Sequence, residues 1–113
     1  MFKQGDIVLT IFPYTDLSGS KLRPALIISS DLMNTTGDFI CMQITSKMFD
    51  DAFFIKIDRD MLNEQLLLDS GIRVQKIFTL NQKLIERKIS AMKTEAFKSV
   101  MSTFAQKVIR INS

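Results

Sequence analysis

From residue 6 to residue 91 the apolar residues fall in short runs, each cut off by turn-forming residues before it is long enough to stand as a free helix. The first, residues 6–12, reads D-I-V-L-T-I-F and is stopped by Pro13. A second runs over 23–29 with Pro24 at its start, where a strand tolerates a missing N–H. Further strands are predicted over 38–45, 52–57, 72–79 and 87–91, with 58–68 irregular or briefly helical and a polar turn at Asn81-Gln82-Lys83. Between the first two strands, residues 14–21 are dense in turn formers and predict an exposed loop, with Asp16 and Ser18 able to bond nearby backbone and Gly19 free to take positive φ.

The period then changes. Phe97, Val100, Met101, Phe104, Ala105 and Val108 are spaced at i, i+3, i+4, i+7, i+8 and i+11, which lines them along one face of a C-terminal amphipathic helix. Short strands followed by one helix predict a mainly β fold, a small, strongly bent sheet or open barrel with the helix docked on it. The 113 residues contain two prolines and four glycines and no linker-like stretch, so residues 1–113 are expected to form a single domain.

Composition narrows the chemistry. Histidine is absent, which removes the commonest general base near neutral pH and the commonest metal ligand. The formal net charge of +3 and a sequence pI near 9.2 favour an anionic partner without naming it. No apolar run approaches the roughly 18–20 residues of a membrane span, and the start lacks the hydrophobic stretch of a signal peptide, so a soluble, cytoplasmic protein without a membrane partner is expected. The lone cysteine, Cys41, sits between Ile40 and Met42 and is expected to be a buried, inert strand residue.

Arg23 lies between the polar loop and an apolar strand, a position from which a planar, permanently charged guanidinium can meet a phosphate with two parallel hydrogen bonds. The alternative is that it simply solvates a strand end. Thr45-Ser46-Lys47 closes the 38–45 strand with two hydroxyls and an ammonium, and if the two strands are neighbours Arg23 and Thr45 can reach one phosphate. Asp58, Asp60 and Glu64 carry oxygen ligands but lack the glycine-spaced order of a calcium loop, and a solvated turn is the simpler reading. Of the adjacent Phe53 and Phe54, one should enter the core while the other is left for the surface or a second copy of the chain.

Gly5-Asp6-Ile7-Val8, Gly19-Ser20 and Arg23-Pro24-Ala25-Leu26, followed by an aliphatic strand, resemble the MazF/PemK toxin signature. Ile44-Thr45-Ser46, Ser70, Lys76-Ile77-Phe78-Thr79 and Arg87-Lys88-Ile89 follow in that family's order and at about its spacing. The resemblance covers nearly the whole chain. It implies an SH3-like barrel with a C-terminal helix, a homodimer, and a metal-independent, cofactor-free endoribonuclease that acts on single-stranded RNA and is paired with an acidic antitoxin.

Carried over residue by residue, the family's catalytic arginine before proline matches Arg23 and its catalytic threonine matches Thr45. Tyr14, Ser20, Lys21, Ser46, Lys47, Ser70 and Lys76 are the expected RNA-binding residues, with Phe12 a lesser candidate for stacking on a base. Lys76 stands where relatives often carry glutamine, and the loop before Arg23 is shorter than in many of them. The competing readings are a non-catalytic nucleic-acid or protein-binding module on the same barrel and a relative that poisons a DNA topoisomerase.

Overall fold

The structure, a computed structural model, describes residues 1–11 and 22–113. Six strands, β1 (Asp6–Ile11), β2 (Leu22–Ile27), β3 (Asp38–Thr45), β4 (Phe54–Lys56), β5 (Gly71–Asn81) and β6 (Ile85–Ala91), form one antiparallel sheet in the order β4-β5-β3-β2-β1-β6. A one-turn helix, α1 (Asp31–Asn34), joins β2 to β3, and α2 (Thr94–Thr103) closes the chain before a wider turn at Phe104–Val108. The expected mainly β architecture with a C-terminal helix is the one observed.

The central strands read as continuous apolar runs because the sheet is covered on both faces. Ile7, Leu26, Met42, Ile44, Ile72 and Val74 pack with Leu62, Met92 and Val100 of α2. The alternate residues Val8, Ala25, Ile27, Phe39, Cys41, Phe78 and Leu80 form a second core with Ile85, partly covered by Phe2 and Leu84. On the edges, β4 and β6 do not pair with each other among the described residues. The segment after a 3-10 turn at Arg59–Met61 runs along β6 instead: Leu62 bridges Met92, and the Asn63 N–H donates to the Ala91 carbonyl at 2.9 Å. This segment lines the open side of an incomplete barrel.

The Gly5-Asp6 pair has a structural explanation. Gly5 takes a φ of +91°, a conformation that L side chains rarely adopt, while its N–H donates to Ile27 and its carbonyl accepts from Met92. The buried Asp6 carboxylate accepts from the Lys3 backbone N–H at 3.0 Å and meets the Lys88 ammonium at 3.2 Å. The motif thereby ties the start of β1 to β2 and β6.

Several boundaries differ from the sequence reading. β2 leaves the ladder at Ile27, two residues early, because the Ile28 and Ser29 N–H groups both turn to the Ile40 carbonyl. β4 keeps only three residues, whereas β5 and β6 are longer than predicted. Ala105 is exposed, unlike the rest of its predicted stripe, because the backbone widens after Phe104 and the Ile109 N–H reaches back five residues to the Phe104 carbonyl, which shifts the helical phase. The helix α1 was not foreseen.

α1 rests on side chains. Ser30 caps it by accepting from the Met33 N–H at 3.2 Å, and the buried Asn34 amide donates to the Ser29 carbonyl at 3.2 Å while accepting from the Ser29 hydroxyl. The same hydroxyl accepts from the Ile40 N–H at 3.0 Å, so Ser29 and Asn34 hold the β2–β3 connection as a unit. Asn34→Ala removes both hydrogen bonds that the Asn34 amide makes with Ser29 inside the turn. It should lower stability by about 1–3 kcal/mol, read as a shift in the urea midpoint at constant m.

Candidate functional site

Antiparallel pairing sets the site's geometry. β2 and β3 pair as Ala25 with Gln43, Leu26 with Met42 and Ile27 with Cys41. The same register carried outward sets Arg23 opposite Thr45, on the face shared by Ala25 and Gln43. On its other side Arg23 pairs with Thr10, a buried threonine whose hydroxyl donates to the Leu84 carbonyl at 2.8 Å. On its other side Thr45 pairs with Gly71, and Gln43 with Arg73. Two residues 22 positions apart in the sequence thus share one face where the second core gives way to polar groups.

The side chains suit an anion. Arg23 is exposed on β2 beside the half-buried Pro24. Thr45 is half-buried, and its Oγ1 accepts from the Lys47 N–H at 3.1 Å, which orients the hydroxyl and keeps its own proton available for donation. The Lys47 ammonium is exposed and sits 5.2 Å from the centre of the Phe49 ring.

Other expected site residues lie elsewhere. Ser46, on the opposite alternation from Thr45, lines a mostly apolar groove of about 500 Å3 with Leu9, Leu22, Pro24, residues 65–68, Ser70, Arg87 and Ile89. Ser70 is buried there, its hydroxyl donating to the Leu68 carbonyl at 2.9 Å. Lys76 is exposed in the stretch where β5 bulges away from β3, between the pairs Gln43 with Arg73 and Met42 with Ile77. Phe12, Tyr14, Ser20 and Lys21 lie outside the described residues. The register thus puts Arg23 and Thr45 on one face, with Lys47 just past the end of β3, whereas Ser46 and Ser70 line the apolar groove.

Among the described residues no three His, Cys, Asp or Glu side chains gather as a metal ligand set. Asp58, Asp60 and Glu64 are exposed around the 3-10 turn. No helix is long and apolar enough to cross a membrane among the described residues.

A family model for the PemK-like, MazF-like toxin of type II toxin–antitoxin systems matches residues 3–108. The chain belongs to this family. Solved structures share its fold: an endoribonuclease in complex with its cognate antitoxin from a mycobacterial species superposes with a TM-score of 0.75 at 14% sequence identity, covering 94% of this chain and 93% of that one. A MazE–MazF complex from Deinococcus radiodurans gives 0.72 at 18% identity, covering 90% and 91%. The Mycobacterium tuberculosis toxin MazF-mt6 gives 0.70 at 15%, covering 88% and 91%. No curated protein matches the sequence significantly.

In this MazF-like chain the sequence reading missed two residues beside Thr45, Phe49 and Arg73. Arg73 carried a signal, since it is a single cation inside an otherwise apolar stretch, Gly71-Ile72-Arg73-Val74. Nothing in the sequence sets it against Phe49, because that contact depends on how the β3–β4 connection folds back.

Cys41 is fully buried in the second core, where loss of solvent penalises the thiolate and pushes the thiol from 9.0 up to about 12. The native thiol should resist alkylation at about pH 8 and react only on unfolding. The folded state also keeps this proton between about pH 9 and 12 while the unfolded state releases it, so the thiol's contribution to stability should fall as pH rises through that window. Cys41→Ala should flatten that part of a pH–stability curve.

Proposed function

We propose that this chain is a metal-independent, sequence-specific endoribonuclease toxin that cuts single-stranded RNA in the cytoplasm and is neutralised by an acidic antitoxin. The observation that carries the reading is the β2–β3 register, which gives Arg23 and Thr45 one face and one end of the sheet. Family membership supports the toxin half of the proposal.

The chemistry needs only what RNA and these two residues bring. The ribose 2′-OH attacks the adjacent phosphorus, an O2′–P bond forms and the P–O5′ bond breaks. The products are a 2′,3′-cyclic phosphate and a free 5′-OH, the proton lost from O2′ being matched by one gained at O5′. Arg23 stabilises the charge that grows on the non-bridging oxygens, and its very high pKa makes it an electrostatic partner rather than a general base. The Thr45 hydroxyl, held by the Lys47 N–H, donates to the same phosphate and fixes its orientation. Lys47 adds positive charge along the strand, and the expected contacts from Tyr14, Ser20, Lys21 and Lys76 would sort bases. An acidic antitoxin segment seated on the same cations would exclude RNA by overlap.

A long single-stranded RNA incubated with the protein in EDTA should give discrete products with 2′,3′-cyclic phosphate ends. Arg23→Ala and Thr45→Ala should each lower the rate on the order of 10²–10³-fold without loss of the folded signal. Cleavage that survives in Arg23→Ala would remove that residue from the mechanism, and RNA left intact by a folded sample would favour a non-catalytic binding role. The protein should elute as a homodimer at about twice its 12.9 kDa chain mass, and a monomeric mass at micromolar concentration would contradict that part of the reading.

A further inference from the structure

Beside Thr45 an aromatic ring gathers two cations. Arg73 on β5 is half-buried, pairs with Gln43 on one side and Phe54 on the other, and holds its guanidinium carbon 3.9 Å from the centre of the Phe49 ring. The Lys47 ammonium lies 5.2 Å from the same centre. Phe49 leans on Phe54 at 5.8 Å between centroids, and Phe54 in turn covers Gly71, where a Cβ would stand 2.1 Å from its ring. Gly71 is the residue paired with Thr45, so the aromatic pair is wedged against that strand position.

Asp50 and Asp51 follow Phe49 in the chain, but among the described residues no carboxylate forms an ion pair with either cation. The ion pairs join Arg87 to Glu86, Lys88 to Asp6 and Lys98 to Glu95, and none reaches Arg73 or Lys47. The Arg73 Nε is buried without a hydrogen-bond partner, and two residues along the same strand the Gln75 Oε1 is in the same condition. The negative face of the Phe49 ring offsets part of the repulsion between the two cations but supplies no hydrogen-bond acceptor for Arg73. A guanidinium lying over a ring keeps its in-plane N–H groups for a bidentate acceptor, and phosphate has the matching geometry.

We propose that Lys47, Phe49 and Arg73 form a second phosphate position, which takes the RNA phosphate next to the one held by Arg23 and Thr45. Its place favours RNA over an acidic peptide. Thr45 with Gly71 is a directly opposed pair and Arg73 is the diagonal neighbour, about 7–8 Å away between backbones, which is a step of nucleotide size along one strand. Phe49 positions the two cations, and Arg73 makes the contact. The inference rests on the ribonuclease reading above.

The test uses a short unstructured RNA spanning a cleavage site mapped with the parent protein. Binding is followed by fluorescence anisotropy in an Arg23→Ala background across a salt series. Arg73→Met, which keeps the side-chain stem, should weaken binding about tenfold and lower the slope of log affinity against log salt by about 0.7, the share of one phosphate contact on a single strand. Phe49→Leu, which removes the ring and keeps an apolar group, should weaken binding in the same direction. Lys83→Met, at the opposite end of β5, controls for lost charge. In cleaving protein, Arg73→Met should raise KM more than it lowers kcat.

Arg73→Met and Phe49→Leu proteins that bind with the affinity and salt slope of the Lys83→Met control would overturn the second phosphate position. That would hold equally if they lost affinity only for an acidic peptide. A parent protein that neither cuts nor binds RNA would instead remove the ribonuclease reading on which the proposal stands.

Discussion

The hydrogen-bonded register of β3 with β2 on one side and β5 on the other governs the rest of the molecule. Because antiparallel partners share a face, that register decides which residues enter each core and which emerge where the cores end. A slip of one residue would carry Met42 and Ile44 to the other face and separate Arg23 from Thr45. Burial on both faces guards against such a slip, since residues of both alternations along β3 are packed: Phe39 and Cys41 on one side, Met42 and Ile44 on the other.

The same sheet explains how stability and binding coexist in a small chain. The packed residues run along the strands, and Arg23, Thr45, Lys47 and Arg73 lie at or just past one end of β2, β3 and β5, so these polar groups are presented without disturbing the packed stretch. Gly71 belongs to both regions. It pairs with Thr45 in the ladder, and only its missing side chain leaves room for Phe54, against which Phe49 leans at a tilt with Arg73 over its ring. A line of contacts thus runs from the ladder to the surface through one glycine. The bulge in β5 just beyond Arg73 bends that strand, and it is where Lys76 becomes exposed.

How much could be read in advance varied with the range of the interaction. The residues 38–45 strand was predicted with its observed limits because its apolar run is bounded by Gly37 on one side and polar residues on the other. The helical stripe was legible except at Ala105, which was misplaced because the sequence period does not disclose a local widening of the backbone. The one-turn helix α1 escaped notice, since it depends on Ser29 and Asn34 bonding to each other rather than on any apolar pattern. Arg23 and Thr45 stood out as polar residues at strand ends, whereas Ser46 and Ser70 gave no sign that they would line a different groove.

The sequence by itself determined the short strands, the final helix, the buried cysteine and the inventory of possible chemistry, all of which depend on local periodicity or on which side chains exist. It also carried enough of the family's pattern to be recognised from end to end. Only the tertiary structure decided which polar residues meet. The placing of Arg23 opposite Thr45 is set by long-range strand register, and the gathering of Lys47 and Arg73 on Phe49 by a loop that folds onto a glycine. Both depend on pairing between segments far apart in the chain, and a one-dimensional pattern does not encode that pairing residue by residue.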